Sequence, residues 1–456
     1  MNRPSFRKSR RQFVRNLLLA GILWAVNPKA FRKRTDTPIH RRVENPECSV
    51  YRAVNGGPAS NMVRVMELMG EPAKSIGPYD VVVIKPNVQW WNQGAPNLLA
   101  LKTFVDIIFE RAGGFHGEVV LAENCHRGSS PWASTDSGWA ARFDWNSDIP
   151  RANNMIDLCG LLKTQYGNRF SVRHWIDVQS GGKRVFGPAE GDGYVYCDGT
   201  GGAPLIECNN EAIGQDHRST IMTYPIFKTD GNTTVDFKNG IWERGSYTGQ
   251  NLRFVNFAAL NHHSYYCGMT SSVKNYMGIC DLSGGPDPEN GGLLTGRYYN
   301  FHSFPFNKWS AGPEPGMLGT EIALFMKTIR RADLNITTAE WVGLSSRTEP
   351  PIARTCAVMG SADPVALDYH SSKYLLLPNS QIAIHDPDRQ DGPLHQYLHK
   401  CAESGGGIID ESKVAVISYD FRSGGFQEGN LAIRAQRKWG STRKALLNYF
   451  ILRSGI

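Results

Sequence analysis

The sequence predicts an α/β fold: a mainly parallel sheet with helices on both faces and long loops over the strand ends. Three observations carry this. Short, continuous apolar runs rich in β-branched residues recur along the chain and end in polar residues, as strands buried on both faces do. An amphipathic segment lies between the first two. Further helix signals follow, with caps where caps belong.

Taken in order, Asp80-Val81-Val82-Val83-Ile84 runs into Lys85-Pro86-Asn87. Leu98–Arg111 places Leu98, Leu101, Val105, Ile108 and Phe109 on one helical face. Gly117 to Leu121 is the next strand and ends in Glu123-Asn124-Cys125-His126. Leu252 to Leu260 ends in Asn261-His262-His263, and Ala357-Val358-Met359 in Gly360-Ser361-Ala362-Asp363. Val414 to Ile417 is a later strand, while 322–331 and 364–377 read as helices, with Asp363 as cap and Pro364 in the first turn. The stretches 128–155, 179–216 and 284–316 lack a sustained period and read as long loops or small excursions.

With 456 residues and 41% hydrophobic residues, the chain can bury a core, which excludes wholesale disorder. No run approaches the roughly 20 apolar residues of a spanning helix. The net charge of +8 is confined to one end. Residues 1–42 carry twelve Lys or Arg and one acid, Asp36; the remainder carries 38 basic and 41 acidic residues. A leader of +11 on a body of −3 gives no footing for nucleic acid.

The leader itself reads as an address. Ser9-Arg10-Arg11-Gln12-Phe13-Val14-Arg15 precedes the apolar run Leu17–Val26 and resembles a twin-arginine export signal. The division that follows is signal 1–30, linker 31–47 and one large α/β domain 48–456. The partner implied is the twin-arginine translocase, and the location is the periplasm or the medium. Membrane contact is expected only through the N-terminal segment, if it stays uncleaved. The nine cysteines contain no C-x-x-C pair, hence no iron–sulfur motif. Cys197/Cys208 and Cys267/Cys280 have spacings a disulfide could close, with buried free thiols as the plainer reading.

The strand-end residues define the candidate site, because ligands of open α/β sheets lie beyond the carboxyl ends of the strands. His126, His263, Lys274 and Asp363 are the candidate catalytic groups. Lys85, Asn87 and Asn275 are candidates for holding a cofactor or substrate. Glu123, His126 and His263 could supply ligands to a transition metal, although adjacent His262 and His263 point to opposite faces if extended. His385–Gly392 has a calcium-loop look with the wrong spacing and reads as a surface turn. Trp90, Trp91, Trp132, Trp139, Trp145 and Trp309 either close the core or stack on a ligand. They leave open a second role, a non-catalytic binding or maturation factor.

At these positions the sequence resembles the family catalogued as domain of unknown function 362. The matching segments are Val83–Asn87, the strand end at Glu123, Asn261–Ser264, Thr270–Gly278, Ala332–Ile336 and Gly360–Asp368, over about 80–377. Many members have Lys-Thr-His where this chain has Asn261-His262-His263, and many carry a ferredoxin module that this chain lacks. The resemblance implies a fold neighbourhood more than an activity; the strand-end residues and the export signal together lead to the expectation of an exported metal- or cofactor-dependent enzyme or cofactor-handling protein. His263 and Lys274, eleven apart, are also faintly similar to the nickel-pincer lactate racemase family, in which a Lys carries the cofactor.

Overall fold

The computed structural model describes residues 43–125, 138–177, 184–210, 218–282, 285, 297–299, 315–428, 432–439 and 443–454, which belong to one compact unit. The leader, the first part of the linker, His126, Trp132 and Trp309 lie outside the described residues.

Nine strands make the main path of the central sheet: β1 Cys48–Val54, β2 Val81–Pro86, β3 Glu118–Cys125, β4 Phe170–Asp177, β5 Leu252–His262, β6 Leu334–Gly343, β7 Ile352–Ser361, β8 Val414–Asp420 and β9 Gly425–Glu428. Their spatial order is β9–β8–β1–β7–β6–β5–β2–β3–β4. The run β6–β5–β2–β3–β4 is parallel throughout. Only β7 and β9 run against the rest of this path. The sheet is therefore mixed and mostly parallel.

The helices are α1 Pro58–Met69, α2 Leu98–Phe109, α3 Met155–Tyr166, α4 Ser272–Asn275, α5 Pro315–Thr328, α6 Pro364–Ser371, α7 Pro393–Glu403 and α8 Arg443–Ser454. Local chemistry sets their ends. Asn97 accepts the Ala100 amide at 3.0 Å to start α2, and α1 stops at Gly70, whose φ of 75° is the left-handed conformation glycine tolerates. Beyond Ser371 the α6 segment continues through a wider turn over Ser372–Leu376 and ends at Ser380.

Alternation along β2 feeds two cores. Val81 and Val83 join one apolar cluster, and Val82 and Ile84 the other. The same alternation writes a polar row across the sheet. Lys85 of β2, Asn256 of β5, Asn335 of β6 and Ser361 of β7 are successive register partners, and all four are buried. Polar groups buried this deeply must find partners, and those partners build the site.

The stretches at 179–216 and beyond hold short antiparallel strands, including Gly193–Tyr196, Glu207–Asn210 and Thr223–Lys228. Cys197, Cys208, Cys267 and Cys280 are buried free thiols. No helix among the described residues is long and apolar enough to cross a membrane.

Candidate functional site

Lys85 is the first anchor. Its Nζ donates to Glu123 Oε1 at 2.9 Å, to the Pro86 carbonyl at 2.9 Å and to Asn275 Oδ1. Glu123 Oε2 accepts the Val88 amide at 2.6 Å. Burial pushes Lys85 down and Glu123 up, and their mutual attraction opposes both shifts. Asn275 completes the ring, donating to the Lys85 carbonyl at 2.9 Å and to Asn256 Oδ1 at 2.7 Å. Asn256 donates in turn to Ser272 Oγ at 2.9 Å and Asn335 Oδ1 at 2.9 Å. Gly278 lies over this knot, because a Cβ there would sit 2.6 Å from Lys85 Nζ.

The short helix α4 is held from the far side by Asp368. Its two oxygens accept the Ser272 and Val273 amides at 2.8 Å each, which occupies the helix's open donors. Burial pushes Asp368 up to about 7, with these amides opposing. The grip fixes Lys274, one residue further on.

Lys274 contrasts with Lys85. It is only 9% exposed, and among the described residues its ammonium has neither a hydrogen bond nor an ion pair. Its Nζ lies over the face of Tyr266, 5.8 Å from the ring centroid. Burial pushes Lys274 down to about 8; Cys267 opposes this, while Arg347 and Lys85 add to it. The other ring against Tyr266 is His263, with centroids 5.6 Å apart, so Tyr266 joins Lys274 to His263. Tyr397, whose buried hydroxyl has no hydrogen-bond partner among the described residues, is within electrostatic reach of Tyr266 and Cys267.

A cavity of about 320 Å³ opens at the carboxyl ends of β5 and β6. Trp90, His262, Ser264, Ser345, Arg347 and Asn448 are among its walls. The Arg347 guanidinium stacks 4.7 Å over Trp90 and lies 3.3 Å from His263 Nε2, and Ser264 Oγ is 3.2 Å from His263 Nδ1. Ser345 is 3% exposed, and among the described residues its hydroxyl has no hydrogen-bond partner. Behind the wall, His262 Nδ1 meets His385 Nε2 at 2.9 Å, and His385 Nδ1 meets Ser380 Oγ at 2.6 Å. Burial pushes His262 down to about 3 and His385 well below its usual range, so both rings are neutral at pH 7. Gly268 closes the hairpin beside them: its φ is 76°, and a Cβ would lie 2.3 Å from the Ile384 carbonyl.

The structure thus brings Lys85, Glu123 and Asn275 into direct contact, and sets Lys274 between that knot and His263. Asn87 instead serves the backbone, accepting the Ala259 amide at 2.7 Å beside a register shift in β5. Asp363 is not brought to the group. It caps α6 through the Ala366 amide at 2.8 Å, accepts the Ile408 amide at 3.1 Å and pairs with Arg331 at 3.3 Å. The reason is strand direction. β7 is antiparallel to β6, with Ser361 opposite Asn335 and Ile352 opposite Gly343. Its carboxyl end therefore emerges where β6 begins, roughly 25 Å along the sheet from the cavity at the end of β6; Ser361 stays level with Lys85 in the polar row, and Asp363 reaches the network only electrostatically, through Asp368.

Of the three candidate metal ligands, the two that the structure describes already have partners. Both Glu123 oxygens are engaged, both His263 nitrogens face partners, and His126 lies outside the described residues. Among the described residues no three His, Cys, Asp or Glu side chains gather as a ligand set. The calcium-like stretch also resolves otherwise. His385 is buried on His262, Asp388 pairs with Lys373 at 2.8 Å, and Asp391 with Arg389 at 2.7 Å. Trp139 is fully buried, Trp145 donates to Gln93 Oε1 at 3.0 Å, and Trp90 faces the cavity.

Sequence reading passed over Arg347, Ser345, Asp368 and the His385–Ser380 pair. A signal existed for some of them. Asn256 and Asn335 interrupt apolar runs, and Ser345-Ser346-Arg347 follows a strand just as Lys85-Pro86-Asn87 does. Comparison of the chain with models of protein families, with curated proteins and with solved structures returns no match.

Proposed function

We propose that the protein is an enzyme, or a cofactor-handling protein, that works through Lys274 at the carboxyl end of the parallel strands. The single observation that carries this is a buried lysine with no carboxylate partner among the described residues, within electrostatic reach of Arg347, which lines a cavity together with His262 and with a Ser345 hydroxyl that has no hydrogen-bond partner among those residues. Leaving an ammonium unpaired in a core is costly, and that cost makes sense where the amine has work to do. An amine that loses its proton near pH 8 is a nucleophile at neutral pH. Added to a carbonyl carbon with loss of water, it forms an imine; left free, it accepts a proton from a substrate. In this reading Arg347 holds an anionic group of the ligand, and His263 exchanges protons with it. Lys85, Glu123 and Asn275 hold the floor of the site rigid.

The wider setting belongs to the same proposal. The chain is carried by the twin-arginine translocase to the periplasm or the medium, it is a member of the domain-of-unknown-function 362 family, helices cover both faces of its sheet, and loops close over the strand ends. The family segments Val83–Asn87, Thr270–Gly278 and Gly360–Asp368 meet in the one buried network, which supports the family reading. No step is assigned to a metal.

The test is trapping. Purified protein is incubated with small 2-oxo acids and borohydride, then mapped by mass spectrometry. A single reduced adduct at Lys274, abolished in Lys274→Met, is expected. Adducts confined to surface lysines would overturn the amine reading.

A further inference from the structure

The C-terminal helix carries a feature that the cavity does not explain. At about 100° per residue, Ala445, Asn448, Tyr449 and Leu452 of α8 share one face, and that face is the anchored one. Ala445 and Tyr449 are buried, Asn448 donates to the Ser345 carbonyl at 3.0 Å, and Tyr449 OH donates to the Ser380 carbonyl at 3.1 Å. The opposite face holds Arg443, Leu447, Phe450 and Ile451. Leu447 is 53%, Phe450 49% and Ile451 43% exposed. Trp439, 44% exposed, extends the patch by stacking on Phe450, with planes 6° apart and centroids at 6.5 Å. Isolated exposed apolar residues need no explanation, but a contiguous aromatic and aliphatic stripe does.

Its neighbours in sequence carry one sign of charge. From 429 to 456 there are six cations, Arg434, Arg437, Lys438, Arg443, Lys444 and Arg453, and no acid. On the helix, Lys444 and Arg453 fall on either side of the stripe. Arg437 is held below its usual range by burial first, with Arg453 and Arg434 adding like charge. An apolar stripe with a Trp and a Phe, flanked by cations on both sides, is the pattern of a helix that lies in the interface of an anionic bilayer.

We propose that α8, with Trp439, docks the folded protein on an anionic lipid surface, the stripe entering the headgroup boundary and the cations meeting lipid phosphates. This contact is separate from any made by the N-terminal leader. It is also independent of the amine chemistry proposed above, although Asn448 and Leu452 on the inner face of the same helix line the cavity.

The test uses the full chain, so the leader must be told apart from α8. A Phe450→Cys variant labelled with an environment-sensitive fluorophore is mixed with vesicles of phosphatidylcholine alone, or with a third of phosphatidylglycerol. Expected are a blue shift and quenching by lipid-borne spin labels with the anionic vesicles only, reversed at 1 M salt. A label at Glu67→Cys on α1 should stay in water. In unlabelled protein, Lys438→Gln/Arg443→Gln/Lys444→Gln and, separately, Leu447→Ser/Ile451→Ser should each weaken anionic-vesicle binding by about tenfold or more. The charge variant alters exposed side chains and keeps the fold. Sedimentation with vesicles while position 450 reports water would overturn the proposal, since the leader would then be the only contact. A concentration-dependent shift without lipid would also overturn it, in favour of a second copy of the chain.

Discussion

The two buried lysines of this protein are a controlled comparison. Lys85 and Lys274 lie in the same region, both almost withdrawn from water; burial lowers the readiness of each to carry charge, and Lys85 adds to the lowering of Lys274. Lys85 meets three oxygen acceptors; Lys274 meets the face of Tyr266 and neighbouring cations. The first lysine is a strut and the second a reagent. Burial alone does not mark function: what marks it is burial without compensation.

The comparison breaks most sharply at the strut. Glu123→Ala leaves the Lys85 ammonium buried without its carboxylate and should cost about 3–5 kcal/mol, read by urea unfolding. Lys85→Met/Glu123→Leu should cost no more than the single change, because no charge is then stranded. A double variant much less stable than Glu123→Ala would show that the pair is worth more than its desolvation.

Lys274→Met should have the opposite sign. With a folded-state value of about 8 against an ordinary 10.5, the unfolded chain holds the Lys274 proton more tightly. Lys274 therefore penalises the fold at and below pH 8, and stability is regained as pH rises from about 8 towards 10.5. At pH 7 the variant should be more stable by about 3 kcal/mol, and the gain should vanish by pH 10.5. A variant that is less stable at pH 7 contradicts an unpaired ammonium.

Gly278→Ala probes the strut from above. The added carbon meets Lys85 Nζ, which three acceptors prevent from swinging away, so a loss of about 1–3 kcal/mol is expected. In the Lys85→Met background the loss should shrink. Asp363→Ala should have the smallest effect, about 1 kcal/mol for a lost helix cap, leaving the reactivity of Lys274 unchanged. Asp368→Asn should alter that reactivity, because Asp368 holds the amides that position α4.

These contrasts also show what could be read from the sequence. The strands from Val81, Glu118 and Leu252 and the helix from Leu98 were legible, since continuous apolar runs and a 3.6-residue period are local properties. Lys85, Glu123 and His263 were legible as strand-end residues, and Lys274 and Asn275 through the Thr270–Gly278 segment that resembles a family motif. Strand direction was not. The run ending at Asp363 reads like the others, yet its antiparallel pairing with β6 carries that residue to the end of β6 opposite the cavity. Direction depends on the connection and on neighbours far away in sequence. The same holds for His385, which sits in an acidic, turn-like stretch and is buried only because His262, 123 residues earlier, lies against it. Asp363 was legible as a helix cap from the Pro364 that follows it, but Asp368, in view within the same motif, was passed over because nothing local shows that its carboxylate reaches across to α4.

The central claim is that Lys274 is a buried amine that sheds its proton near pH 8 while Lys85 stays paired. Competitive labelling of the folded protein with an amine reagent across pH 6 to 11, read residue by residue by mass spectrometry, tests it directly. The account predicts half-maximal labelling of Lys274 near pH 8, well below an exposed residue such as Lys400, and no labelling of Lys85 until the protein unfolds. Lys274 labelling that follows Lys400, or that fails at every pH, would contradict it.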